Sequence, residues 1–229
     1  KILESYIDNS WVAAFNPHDE VKQFVQGDPV DSKLACLSKS RPDGTIKRRI
    51  ILDSKVSGVT GASRKMYKSI LPRQTDLVSD ILRLLASCGS AESVTLLVLD
   101  AEYAYWQVPL HPQERRFYCC KLTLPDGRVW FLVFLRTAQG SVGAPLSWAV
   151  IFGLVSRFVS SLLRDPVIPD AHELEVYVDD PVLAIRGTEE TQTEAAAIAM
   201  LGWANCGVKL AIRRGHFGTQ LDWIGSTFR

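Results

Sequence analysis

Apolar and polar positions follow three patterns along this chain: they run together, alternate, or recur at helical spacing, and each pattern predicts an element. Val94 to Leu99 is an apolar run of strand length, which predicts a central buried strand that delivers Asp100 at its end. Glu173 to Val178 alternates, Asp179-Asp180 interrupts the alternation, and Val182 to Ile185 resumes an apolar run, the pattern of a hairpin with two carboxylates at its turn. Residues 33–61 alternate short β-prone runs, such as Lys47 to Leu52, with Pro42-Asp43-Gly44 and Ser57-Gly58, which predicts a further hairpin. Arg116 to Leu122 and Arg128 to Leu135 flank Pro125-Asp126-Gly127 as another.

Helical spacing marks three further stretches. Thr75 as N-cap, Asp76 in the first turn, Leu77, Ile81, Leu84 and Leu85 on one face, and Gly89 beyond the end define the first helix. A second starts near Pro145 and runs past Phe158, since proline suits a first helical turn. Thr188 with Glu189 and Glu190 opens an Ala-rich third that continues to about Ala204, with short strands expected around Val208 to Ile212 and Leu221 to Ile224. Strands and helices mix without regular βαβ spacing, so the expected class is α+β, a mainly antiparallel sheet with helices packed on one face.

Composition narrows the options. The 229 residues are 47% hydrophobic and 9% aromatic, enough to build a core and contrary to a solenoid, a short disulfide scaffold or a disordered tail. The longest uncharged stretch, Thr137 to Ser156, contains Gln139, Pro145, glycines and serines, so a buried loop and helix are expected there and no membrane partner. Five cysteines without CxxC spacing support neither a zinc site nor a disulfide framework. No signal peptide is evident, and the default setting is intracellular, cytoplasm or nucleus. The chain begins with Lys1, not Met, and reads as an excerpt of a longer polyprotein with further domains.

Charge changes the picture more. The formal net charge is +1, but Lys33 to Arg73 holds eleven basic and two acidic residues, so the rest of the chain is acidic. That asymmetry points to an anionic partner, against the alternative of a solvated basic loop. Asp100 and the Asp179-Asp180 pair, brought to one edge of a sheet, would gather three carboxylates whose mutual repulsion calls for a cation. Hard oxygen donors without His or Cys select Mg²⁺ or Mn²⁺, and two such ions serve phosphoryl transfer. On spacing alone, an Asp-Asp turn and an unrelated strand-terminal Asp stays an open alternative.

The residues around these carboxylates carry a resemblance. Leu99-Asp100-Ala101-Glu102-Tyr103-Ala104-Tyr105-Trp106-Gln107-Val108-Pro109-Leu110 resembles the first catalytic motif of retroviral and retrotransposon reverse transcriptases. Ala138 to Pro145 is similar to the second motif, and Tyr177-Val178-Asp179-Asp180 to the metal-binding signature. Arg49 with Asp53 resembles the fingers motif, and Gly207 to Phe217 with Trp223-Ile224-Gly225 resembles the last palm motifs, including the primer grip.

The resemblance implies a right-hand polymerase fold, with 1–93 and 111–140 fingers-like, 94–110 and 141–229 palm, and the thumb, RNase H and integrase domains absent. It implies an RNA-directed DNA polymerase, a nucleotidyltransferase that extends a primer on an RNA or DNA template with dNTPs and two Mg²⁺ ions. Asp100, Asp179 and Asp180 are then catalytic metal ligands, with the Ala101 carbonyl a further oxygen. Tyr105 would exclude a ribose 2′-hydroxyl. Gln139 and Gly140 would position the incoming nucleotide or template base, and Arg49, Lys39, Arg41 and Lys47 would meet phosphates. Arg214 stands where the family has a general-acid lysine, and Pro181 removes a strand N–H directly after the Asp pair. These departures define a rival, a nucleic-acid-binding relic without turnover; an RNA-templated RNA polymerase is another, which Tyr105 opposes.

Overall fold

The alternation and apolar runs become two compact units in the structure, a computed structural model that describes residues 2–40, 44–64, 67–164 and 171–229. The Pro42-Asp43 part of the first predicted turn, Arg41 and Lys65 lie outside the described residues. Unit 1 comprises Lys1–Lys68 and Tyr105–Ser147, and unit 2 comprises Ser69–Ala104 and Trp148–Arg229.

Unit 1 carries α1 (Ile2–Asp8), β1 (Val12–Phe15), α2 (His18–Val25), β2 (Asp31–Ser40), β3 (Ile46–Asp53) and α3 (Val59–Ala62), and later β5 (Cys119–Thr123) and β6 (Val129–Phe134). Its sheet runs β1-β6-β5-β2-β3, antiparallel except for a short parallel pairing of β2 with β5. The hairpin predicted around Pro125-Asp126-Gly127 is β5–β6, paired from Cys119↔Val133 to Thr123↔Val129. Both faces of β5–β6 are covered. Cys120, Leu132 and Phe134 pack with Trp11, Leu52 and Trp106, whereas Cys119 and Val133 pack against Val21 and Val25 of α2. Burial pushes both the Cys119 and Cys120 thiols up to about 12, which keeps them protonated at neutral pH, and the Cys119 thiol donates to the Arg115 carbonyl at 3.3 Å. All five cysteines are free.

Unit 2 holds α4 (Gln74–Ala86) and β4 (Ser93–Val98), then β7 (His172–Tyr177), β8 (Asp180–Gly187), α6 (Glu189–Asn205), β9 (His216–Gly218), β10 (Leu221–Trp223) and β11 (Ser226–Phe228). α5 (Ala144–Leu162) starts in unit 1 and runs on into unit 2. The four-stranded sheet has the order β7-β8-β4-β9 and is antiparallel throughout.

The expectation of helices on one face is corrected here. Leu96, Val182 and Ala184 pack with Leu77 and Leu84 of α4, while Thr95, one residue along and therefore on the opposite face, donates to Gln192 of α6 at 2.7 Å. Val182 to Ile185 are all buried, and strands without a polar face need cover on both sides.

Three smaller departures from the expected pattern concern α4 and the segment after α6. The α4 N-cap is Arg73, whose N–H is taken by Asp76 at 2.7 Å, so Thr75 lies inside the first turn. Leu85 is exposed; Leu77 and Leu84 carry the buried stripe. Val208 to Ile212 is not a strand: it makes a single bridge, Ala101↔Leu210, and enters a 3-10 turn at Ile212–Arg214, and the fourth strand is β9 instead.

α5 buries Trp148, Phe152, Ser156 and Val159 along one stripe but exposes Val150, Leu154 and Phe158 on another. By length and composition it is apolar enough to cross a membrane, with 22% of its apolar window buried, so only part of the expected buried helix is covered.

Candidate functional site

The predicted site residues divide between the two units. Lys39, Lys47, Arg49, Tyr105, Gln139 and Gly140 belong to unit 1; Asp100, Ala101, Asp179, Asp180 and Arg214 belong to unit 2.

In unit 1 the β2–β3 register explains how cations gather. The pairs Leu37↔Arg49 and Lys39↔Lys47 fall on the same face, because residues two apart along a strand share a side. Ile50 and Leu52, of opposite parity, are buried in the core. Lys39, Lys47 and Arg49 therefore share the outward face, and Arg48, across from Ser38, takes the other. Gly140 lies against the same strand: a Cβ there would stand 2.5 Å from Ile51 Cγ2 and 2.6 Å from the Leu52 carbonyl oxygen. Its φ of +97° also suits glycine, and the Leu52 N–H donates to the Gln139 carbonyl at 3.1 Å. Ser141 fixes the other side of this loop through a 2.8 Å bond with the Tyr118 hydroxyl. Tyr105 is tied to the start of the loop, its carbonyl accepting from Thr137 Oγ1 at 2.5 Å.

In unit 2 the predicted carboxylate turn is a two-residue connection, Val178-Asp179, between the paired residues Tyr177 and Asp180. Its neighbour is the Asp100 segment, because the Ala101 N–H donates to the Asp179 carbonyl at 2.7 Å. Val178 has φ +56°, a left-handed conformation that a β-branched residue adopts only when its surroundings impose it. Two buried indoles supply part of that constraint. Trp148 Nε1 donates to the Val178 carbonyl at 2.8 Å, and Trp223 Nε1 to the Asp180 carbonyl at 3.0 Å.

Pro181 does not interrupt the hairpin, since pairing continues through Val176↔Pro181. In a two-residue hairpin that pair lies outside the hydrogen-bonded positions, and the Pro181 carbonyl still accepts from Leu99 N at 3.1 Å.

The electrostatics tie the three aspartates together. Burial first, then the charges of Asp179 and Asp100, push the Asp180 carboxyl up to about 6, while Arg214 pulls the other way. Arg214 Nη2 sits 2.8 Å from Asp100 Oδ2. Among the described residues no group of three or more His, Cys, Asp or Glu side chains is arranged to hold a metal ion as it stands. Asp100 pairs with Arg214 instead. The donor chemistry nonetheless fits a hard divalent ion: carboxylate oxygens on neighbouring backbones, with excess negative charge that a guanidinium only partly offsets.

Trp148 and Tyr118 carry no signal in the sequence that marks them as site residues. No motif marks an indole or phenol whose partner is a backbone or hydroxyl group 23 or 30 positions away.

No protein-family model matches the chain, and no curated protein matches it. Among solved structures it is similar to the foamy viral protease-reverse transcriptase dRH in complex with double-stranded DNA. The TM-score is 0.62 at 12% identity, covering 97% of this chain and 31% of that one. The likeness is one of fold: a mixed chain with mainly antiparallel sheets follows the backbone path of part of a protein that includes a reverse transcriptase. This chain thus spans about a third of the length of that structure's chain.

Proposed function

We propose that the chain is the fingers and palm of a retroelement reverse transcriptase, an RNA-directed DNA polymerase acting on a primed RNA or DNA template with dNTPs. The observation that carries this reading is the backbone bond between Ala101 and Asp179, which sets the Asp-Asp turn beside Asp100. The fold likeness to a reverse transcriptase structure bound to DNA supports it, as does the order of the motifs along the sequence.

Asp100, Asp179 and Asp180, with the Ala101 carbonyl, are the residues that would hold Mg²⁺. When bound, such ions lower the pKa of the attacking hydroxyl and stabilise the leaving oxygen of a phosphoryl transfer. The chain's own residues do the rest. Lys39, Lys47 and Arg49 present cations on one open strand face for phosphate oxygens, Arg49 as a bidentate fork. Gln139 and Gly140 form a loop tied by a backbone bond to that strand, where they position the nucleotide or template base. Tyr105 selects against a 2′-hydroxyl by steric exclusion.

The rival reading, a nucleic-acid-binding relic without turnover, is favoured by one observation, the Arg214 guanidinium on Asp100. Primer extension on a homopolymer RNA template with Mg²⁺ separates the two. Extension by the wild type that is lost in Asp179→Asn supports the polymerase. Template binding with equal, background extension in both proteins supports the relic, and efficient ribonucleotide incorporation refutes the role given to Tyr105.

A further inference from the structure

The segment after α6 is anchored to the Asp100 turn by its backbone. Glu102 N donates to the Lys209 carbonyl at 2.8 Å, and Ala211 N donates to the Asp100 carbonyl at 2.8 Å. On the far side of Arg214 the chain is pressed against β4. A Cβ on Gly215 would stand 2.7 Å from Leu99 Cδ2 and 3.3 Å from the Val98 carbonyl, and His216 then pairs with Val98. The backbone of Arg214 is thus fixed on both sides, within a 3-10 turn closed by its own N–H to the Ala211 carbonyl at 2.8 Å. Its side chain is different: 59% exposed, it brings Nη2 to 2.8 Å from Asp100 Oδ2, and Asp100 is 29% exposed. An arginine held by its backbone, with a largely exposed head on a partly exposed carboxylate, can exchange that contact for water at small cost.

We infer that Arg214 is a displaceable internal cation: it pairs with Asp100 while the carboxylates hold no divalent ion, and it must give up that oxygen when one binds. Arg214 then acts as a positioning residue that sets how tightly the carboxylates hold metal. This rests on the metal-site reading of Asp100, Asp179 and Asp180 given above. The competing role, a permanent structural pin between the 3-10 turn and the Asp100 turn, would leave metal affinity unchanged. A half-exposed ion pair is worth little in water, so its removal should tighten divalent binding by about two- to fivefold.

The test titrates Mn²⁺ alone into the full chain and follows free Mn²⁺ by electron paramagnetic resonance. Expected results are a two- to fivefold lower Kd in Arg214→Gln, a wild-type value in Arg214→Lys, and no effect of Arg214→Gln in an Asp100→Asn background. Nitrogen-detected NMR adds a reading independent of affinity: the Arg214 Nε signal should move towards that of a solvated arginine as Mg²⁺ is added. Unchanged or weaker Mn²⁺ binding in Arg214→Gln, with binding still weakened by Asp100→Asn, overturns the displacement and leaves the metal site standing. If neither Asp100→Asn nor Asp179→Asn weakens Mn²⁺ binding, the metal-site reading itself fails and takes this inference with it. Thermal unfolding without metal confirms that each variant is folded.

Discussion

Strand β3 of unit 1 and strands β4 and β8 of unit 2 present charge in opposite ways. β3 is buried on one face through Ile50 and Leu52; its other face is partly covered at Ile51, where Gly140 lies, and beyond it exposes Lys47 and Arg49 in register with Lys39 of β2. β4 and β8 are buried on both faces, so neither can display a charged row, and their carboxylates appear only where the strands end, at Asp100 and Asp180. A charged face offers several exposed cations, suited to a polyanion whose contacts are many and screened. Strand ends offer few charges, each placed by the backbone, suited to chemistry that depends on distance.

That contrast can be broken by mutation, beginning with the change expected to cost most. Trp148→Ala in unit 2 should destabilise by about 3–5 kcal/mol in denaturant unfolding, since it removes a fully buried ring and leaves the Val178 carbonyl without its donor. Trp148→Phe keeps most of the packing and should cost about 1–2 kcal/mol. A loss under 1 kcal/mol for the alanine variant would show that the core does not hold the carboxylate turn.

Next in size is Gly140→Ala in unit 1. A methyl group there meets Ile51 and the Leu52 carbonyl at contact distances that force a shift, at a backbone angle unfavourable to alanine. The expected cost is about 2–3 kcal/mol by the same measurement. Wild-type stability would mean that the loop is not pressed against β3.

Glu175 of β7 gives a smaller, pH-dependent effect. Burial first, then Asp80, Asp76 and Glu173, push its carboxyl up to about 7. Arg83 already bridges Asp80 at 3.0 Å and Glu173 at 2.5 Å, so that cation is committed. Between its unfolded pKa and about 7 the folded state binds more protons at this group, so its contribution to stability falls as pH rises through that window and is level above it. Glu175→Gln should remove that slope and raise stability at pH 8 relative to wild type, by under about 1 kcal/mol after allowance for solvent screening. Parallel pH profiles for the two proteins would refute the assignment.

The smallest stability effect is expected on the open face. Arg49→Ala should change unfolding free energy by less than about 0.5 kcal/mol. It should weaken template binding uniformly across sequences and lower the slope of log affinity against log salt by about 1. Unchanged binding would refute the phosphate contact proposed for Arg49.

What could be read in the sequence was what local periodicity encodes. The strand before Asp100, the turns at Pro125-Asp126-Gly127 and Asp179, and the starts of α5 and α6 all lie where residue patterns place them. The two-faced burial of unit 2 was also written there, in the unbroken run Val182 to Ile185, although alternation in the neighbouring β7 argued for a single covered face. β9 escaped because three residues, His-Phe-Gly, carry no period and gain their pairing only from β4, far away in sequence. The cations of the open face had the right parity for one another, yet that parity becomes visible only once the hairpin register is known. The ion pair between Arg214 and Asp100 had no local signal, because it joins residues brought together by the bridge at Ala101 and Leu210.

The two indole tethers set a minimum length for any fragment of this sequence that keeps the Asp-Asp turn fully bonded. Trp148 and Trp223 reach the same turn from segments 75 positions apart, one on each side of it along the chain. A piece trimmed before residue 223 would keep every aspartate and every motif up to Arg214, yet the Asp180 carbonyl would have lost its indole donor. For anyone dissecting the chain by truncation, the boundary that matters therefore lies beyond the last charged residue assigned to the site.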